Sequence, residues 1–128
     1  FLISSDGFYR VKRLERGRSS VIHNWHGSPL INTGVGAINR LRVTGIDDRF
    51  RFFINGEPVE LCIPDDPNAE STPLADGRCD QGQWVDTLVD DTIPYGHLGV
   101  TIEVDQGQTP GVVVAFEQFV VRGPEPFE

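Results

Sequence analysis

The chain has 128 residues, 23% charged and 38% hydrophobic, with a formal charge of −8 at pH 7 and a pI near 4.7. That length fits one domain, residues 1–128, burying about two thirds of the surface its unfolded chain would expose, and the balance excludes a disordered chain. An acidic chain is a poor ligand for nucleic acid, which needs a concentrated basic face, and no apolar run approaches the roughly 18 residues of a spanning helix.

The charge is lopsided. Residues 1–56 carry nine basic and four acidic side chains, whereas residues 57–128 carry two basic and fifteen acidic ones. Such complementary halves can face each other or a neighbouring copy. There is no methionine, and the opening FLISS has neither the cationic region nor the cleavage site of a signal peptide. The chain therefore reads as a processed or excised piece of a longer product.

In chain order, period-two patterning predicts strands at 1–5, 8–15, 19–25, 40–44, 49–55, 59–63, 98–103 and 112–122. Turn chemistry separates them: SDG at 5–7, RGR around Gly17, NTGVG at 32–36, GIDD at 45–48 and NGEP at 55–58. No window keeps a convincing helical period, so the expected fold is all-β, an antiparallel two-sheet sandwich or barrel. Residues 64–94 break the rhythm as a long acidic loop, with eight acidic residues against Arg78. A loop of that length is functional, disordered or tied down. Within it only QWVDTLV, at 83–89, is apolar enough for Trp84 and Leu88 to pin it. The two cysteines, Cys62 and Cys79, flank its first half and read as one disulfide of an exported protein, the alternative being two free thiols in the cytosol. No Asn-x-Ser/Thr sequon is present.

The hairpin NRLRVTGIDDRFRFFINGEPVEL, at 39–61, alternates clearly. Leu41 and Val43, with Phe50, Phe52 and Ile54, are expected on the core face; Arg40, Arg42, Arg49 and Arg51 are expected on the other, with Phe53 among them. A solvated sheet face explains the arginines, whose stems can cover apolar surface. It does not explain Phe53, since an aromatic beside forked donors is suited to sugars or acidic partners. Aromatic and arginine side chains that could share an exposed face make Trp25, Arg42, Arg51, Phe53, Trp84 and Tyr95 the candidate ligand-binding residues.

Four segments, SDGFYRVKRLERG, INTGVGAINRLRVTGIDDRFRFFINGEPV, YGHLGV and VVVAFEQFVVRG, resemble in order the pattern of bacterial concanavalin A-like domains of the LamG type. They are also similar to the domain called 3-keto-disaccharide hydrolase. The resemblance implies a jelly-roll sandwich of two antiparallel sheets, found in secreted or surface-anchored multidomain proteins, of which this chain looks like the C-terminal two thirds. Sheet edges exposed by the missing strands would then need a lost N-terminal segment or a partner chain to cover them.

Catalytic motifs are scarce. Glycoside hydrolysis in its common form needs two carboxylates flanking the bond, and the Glu-x-Asp-x-x-Glu strand of laminarinase-like sandwiches is absent. Glu117 stands where the resemblance places an acid in the final strand, while Glu103 and Asp105 share a predicted strand face; all three read better as exposed strand residues. The histidines of HNWH, His23 and His26, are three apart and should point to opposite faces of a strand, and His97 is isolated, so no zinc site is expected. TGVGA at 33–37 is a turn rather than a phosphate cradle. No cofactor motif occurs. LamG-like domains often bind calcium at a rim, and Asp65, Asp66, Asp76, Asp90 and Asp91 would supply oxygen ligands, although their spacing matches no EF-hand. The expectation is a non-catalytic extracytoplasmic binding or assembly module for carbohydrate or a protein partner. Its alternatives are a sugar-processing hydrolase domain and a structural subunit of a larger surface or membrane-associated complex.

Overall fold

The computed structural model describes residues 1–93, 99–103 and 113–123, and the chain divides into two units, Phe1–Pro94 and Tyr95–Glu128. All regular structure among the described residues is antiparallel strand, so the all-β class holds. Three sheets form in the first unit. β1 (Leu2–Ile3), β2 (Phe8–Glu15) and β3 (Arg18–Gly27) make one, in that order. In the second, β4 (Leu41–Ile46), β5 (Arg49–Ile54) and β6 (Glu57–Val59) lie in sequence, while β7 (Leu61–Pro64) pairs with β8 (Gly82–Val85) as a third. β9 (Leu88–Val89) returns to β5, pairing Leu88 with Phe50.

Turn residues set the hairpins. Arg16 and Gly17 between β2 and β3 have φ of 49° and 77°, and Asn55 and Gly56 between β5 and β6 have 51° and 87°. Positive φ at both central residues gives the turn twist that two antiparallel strands require. Asn55 does more than turn. Its Oδ1 accepts from the Arg40 N–H at 2.8 Å, and its Nδ2 donates to the Leu30 carbonyl at 2.7 Å and to Asn39 Oδ1 at 2.9 Å. One side chain thereby ties the irregular segment before β4 to the β5–β6 turn.

The core gathers Tyr9, Val11, Ile31, Phe52, Ile54, Val59 and Leu61, with Phe50, Val85 and Leu88 partly buried against it. Fully burying an Ile or Leu stabilises the fold by roughly 1.5–3 kcal/mol, so Ile54 and Leu61 anchor the meeting of the sheets. The acidic loop is tied as its sequence suggested. Cys62 and Cys79 form a disulfide with Cα atoms 5.4 Å apart, and Leu88 packs on the core through β9.

Three expectations need correction. Leu41 and Val43 lie opposite Ile54 and Phe52 in the ladder, hence on the core face, yet they are 41% and 49% exposed. β4 is an edge strand, and nothing among the described residues covers that corner. The predicted strand at 59–63 is two strands broken at Glu60, whose carbonyl accepts the Tyr9 hydroxyl at 2.6 Å. The second unit carries no strand among its described residues, 99–103 and 113–123. Gln118, at a φ of 53°, interrupts the extended run expected over 112–122.

Candidate functional site

The arginine face is built by register. Residues opposite each other in an antiparallel ladder share a face. Arg42 is paired with Phe53, Thr44 with Arg51, and Ile46 with Arg49, so three guanidinium groups belong to one side of the β4–β5 hairpin. Pro58 on β6 also pairs with Phe53. The Arg42 Cζ lies 4.0 Å from the Phe53 ring centroid and the Arg51 Cζ 5.3 Å from it. Phe53 is therefore not an exposed platform: it is only 8% exposed beneath the two arginines. Each cation–π contact contributes about 0.5–1 kcal/mol at such a surface and fixes a planar donor fork in place. Among the described residues, no carboxylate forms an ion pair with Arg42, Arg49 or Arg51. The result is a cluster of like charges with no ion-paired carboxylate among the described residues, a repulsion that an arriving anion would relieve.

A second place draws residues together that sequence spacing would separate. Tyr9 pairs with His26 and Val11 with His23, so two residues on β2 span three on β3. This β-bulge brings both histidines to one side, their rings 6.3 Å apart, contrary to the expectation for unbroken alternation. Trp84 joins them, its ring 4.9 Å from that of His26 and 5.8 Å from that of His23, and its indole N–H donates to the Gly77 carbonyl at 2.9 Å. Tyr9, His26, Leu30, Pro58, Glu60 and Trp84 are among the residues lining an open hollow of about 410 Å³.

The cluster is electrostatically neutral where it is buried. His23 is 0% exposed and stacks on Tyr9 at 4.6 Å. Its Nδ1 accepts the Cys62 N–H at 2.9 Å, which places the ring proton on Nε2, an atom with no hydrogen-bond partner among the described residues. Burial, reinforced by His26, pushes the His23 imidazole down to a pKa of about 3. Burial also lowers His26, and burial followed by the charge of Glu60 raises the Tyr9 phenol. Ser71 completes the join: its hydroxyl donates to the Cys62 carbonyl at 2.7 Å and accepts the Asn24 N–H at 3.1 Å. His23 and Ser71 thus link β3 to β7 where no strand ladder does.

The six candidate residues fall in separate places. Arg42, Arg51 and Phe53 are together; Trp84 belongs to the hollow; Trp25 stands on β3 with the Arg10 guanidinium 5.6 Å from its ring; Tyr95 lies outside the described residues. Asp105 and His97 also lie outside them, whereas Glu117 is exposed. Several acids of the loop are engaged locally. Asp66 accepts the Asn68 N–H, Asp76 pairs with Arg78 at 2.8 Å, and Asp90 pairs with Arg13 at 2.9 Å. Among the described residues no group of three or more His, Cys, Asp or Glu is placed to hold a metal ion. Alternation in the sequence already placed Arg49 on the arginine face, although Arg49 was not among the candidate ligand-binding residues. The sequence reading missed Tyr9 and His26 because the bulge leaves no mark in hydrophobic periodicity.

No family model matches the chain, and neither a curated protein nor a solved structure matches it.

Proposed function

We propose that this chain is a non-catalytic, extracytoplasmic binding module that engages an acidic segment of a protein partner through the arginine face of β4 and β5. The observation carrying this reading is the stack of Arg42 and Arg51 on Phe53 without an ion-paired carboxylate among the described residues. Planar forks already oriented on a ring lose little freedom when they meet a carboxylate. The Cys62–Cys79 disulfide supports an oxidising compartment. A concanavalin A-like jelly roll is the architecture we favour for the intact domain, on the four sequence segments that resemble it. The test is an array of acidic peptides probed with the full chain and with Arg51→Ala and Phe53→Ala. Binding to acidic sequences that both substitutions weaken is expected; binding that neither changes removes the arginine face from consideration.

A second reading, carbohydrate recognition, is favoured by the hollow. Phe53 is covered and offers no face to a neutral sugar, but the tilted pair of Trp84 and His26 beside Glu60 combines aromatic surface with polar groups. A glycan array with Trp84→Phe as control tests it: sugar binding that this variant reduces supports the reading, and no sugar signal excludes it.

A further inference from the structure

β4 pairs with β5 along one side, and among the described residues no strand lies along the other. An exposed edge offers a row of backbone donors and acceptors, which proteins ordinarily blunt with proline, a bulge or a very short strand. β4 has none of these, and the one protecting feature it does carry is the charge of Arg42, which repels a basic strand and admits an acidic one. The β4 sequence, LRVTGI, contains no proline, and its register with β5 runs without a shift from Leu41 to Ile46.

The two faces of this edge differ in chemistry. On one, Leu41 and Val43 are half exposed and continue the apolar surface of Phe50 and Phe52. On the other, Arg42 is followed by Thr44, with Arg51 opposite Thr44 on the neighbouring strand. A strand added to β4 would alternate its side chains between these two faces, since the side-chain period is two.

We propose that β4 is an acceptor edge for an extended segment of a partner protein in which acidic and apolar residues alternate. Acidic residues would lie over Arg42 and reach toward Arg51, apolar ones would extend the Leu41–Val43 strip, and backbone hydrogen bonds along β4 would set the register. The occupant follows from charge complementarity: the arginines lack an ion-paired carboxylate among the described residues, and the opposite face presents only apolar surface and Gly45. This inference rests on the arginine-face reading and adds to it the conformation of the partner and the edge it uses.

The test uses the full chain and a synthetic peptide of about eight residues, a usual strand length, alternating Glu and Val. Three companions share its composition: one with Glu and Val in separate blocks, one N-methylated at every Glu, and one N-methylated at every Val. A strand pairs through one edge, so one N-methylated peptide should lose about tenfold or more in affinity, equivalent to roughly 1.4 kcal/mol, while the other keeps it. The alternating peptide should slow amide exchange over residues 41–46, the block peptide should bind more weakly, and Arg42→Glu should weaken the alternating peptide about tenfold. If the block peptide and both N-methylated peptides bind as well as the alternating one, strand addition is overturned and the arginine face alone stands. If charge reversal of Arg42 and Arg51 leaves binding unchanged, or if no peptide binds, the arginine-face reading fails with it.

Discussion

Acidifying the protein from pH 7.5 to pH 5 should cost it about 2 kcal/mol of stability through His23 alone. The folded imidazole is held near a pKa of 3, against an ordinary 6.5, so it stays neutral over this window. The unfolded chain takes up the proton as the pH falls through 6.5. A histidine lowered in the fold therefore contributes stability above 6.5 that is lost on acidification, at about 1.4 kcal/mol per pH unit well below that value, until the folded group itself protonates. The physical origin is the site. Nδ1 is occupied by the Cys62 N–H, Tyr9 covers one ring face, and a proton arriving there would put a charge in a position with no exposure. Urea denaturation at pH 7.5, 6.5, 5.5 and 5.0 measures the loss, with His23→Asn as reference, because its side-chain oxygen can still accept the Cys62 N–H without titrating. The variant should be less stable at pH 7.5, having lost the ring stack, yet its stability should decline less with pH. The part it keeps belongs in part to His26, which burial lowers in the same direction. A wild-type protein as stable at pH 5 as at pH 7.5, or a variant that declines as steeply, would refute the reasoning.

The other predictions concern separate supports of the fold. Replacing both cysteines by serine releases a loop closed across a sequence separation of 17; the expected loss is about 3 kcal/mol, read as a fall in urea midpoint. Asn55→Asp keeps the acceptor to Arg40 but removes both amide donations, to Leu30 and Asn39. It should cost about 1–3 kcal/mol in thermal or urea unfolding, whereas a loss below a few tenths would show that the bridge is not structural. Ile54→Ala, at a fully buried core position, should cost about 2–5 kcal/mol by the same measurement. Burial opposes ionisation of Asp90, but hydrogen bonds from Thr92 and Arg13 outweigh it and hold the carboxyl below its usual range. Its contribution is present above the ordinary carboxylate value and lost as pH falls through the lowered one, so Arg13→Gln should flatten stability against pH only in the acid region below that of His23.

Much of the first unit was legible because its signals are local. The β2 span and the Asn55–Gly56 turn follow from period-two alternation and from residues that accept positive φ. Leu88 likewise announced itself as the apolar anchor of the acidic loop. What escaped depends on distant partners. Whether Leu41 and Val43 are buried depends on a neighbour beyond β4, not on their own alternation. The meeting of His23 and His26 depends on an extra residue accommodated between them, which changes no composition or spacing rule. Phe53 was placed on the correct face, but its burial depends on the rotamers of Arg42 and Arg51, which alternation does not specify.

The central claim is that the arginine face receives acidic protein, and its most direct measurement is a titration of the full chain with a poly-glutamate probe at low and high salt. The probe should bind the wild type, weaken as salt screens the guanidinium groups, and lose most of its affinity in the double variant Arg42→Glu/Arg51→Glu. Equal affinity in that variant, with unfolding curves showing that it is folded, would contradict the account.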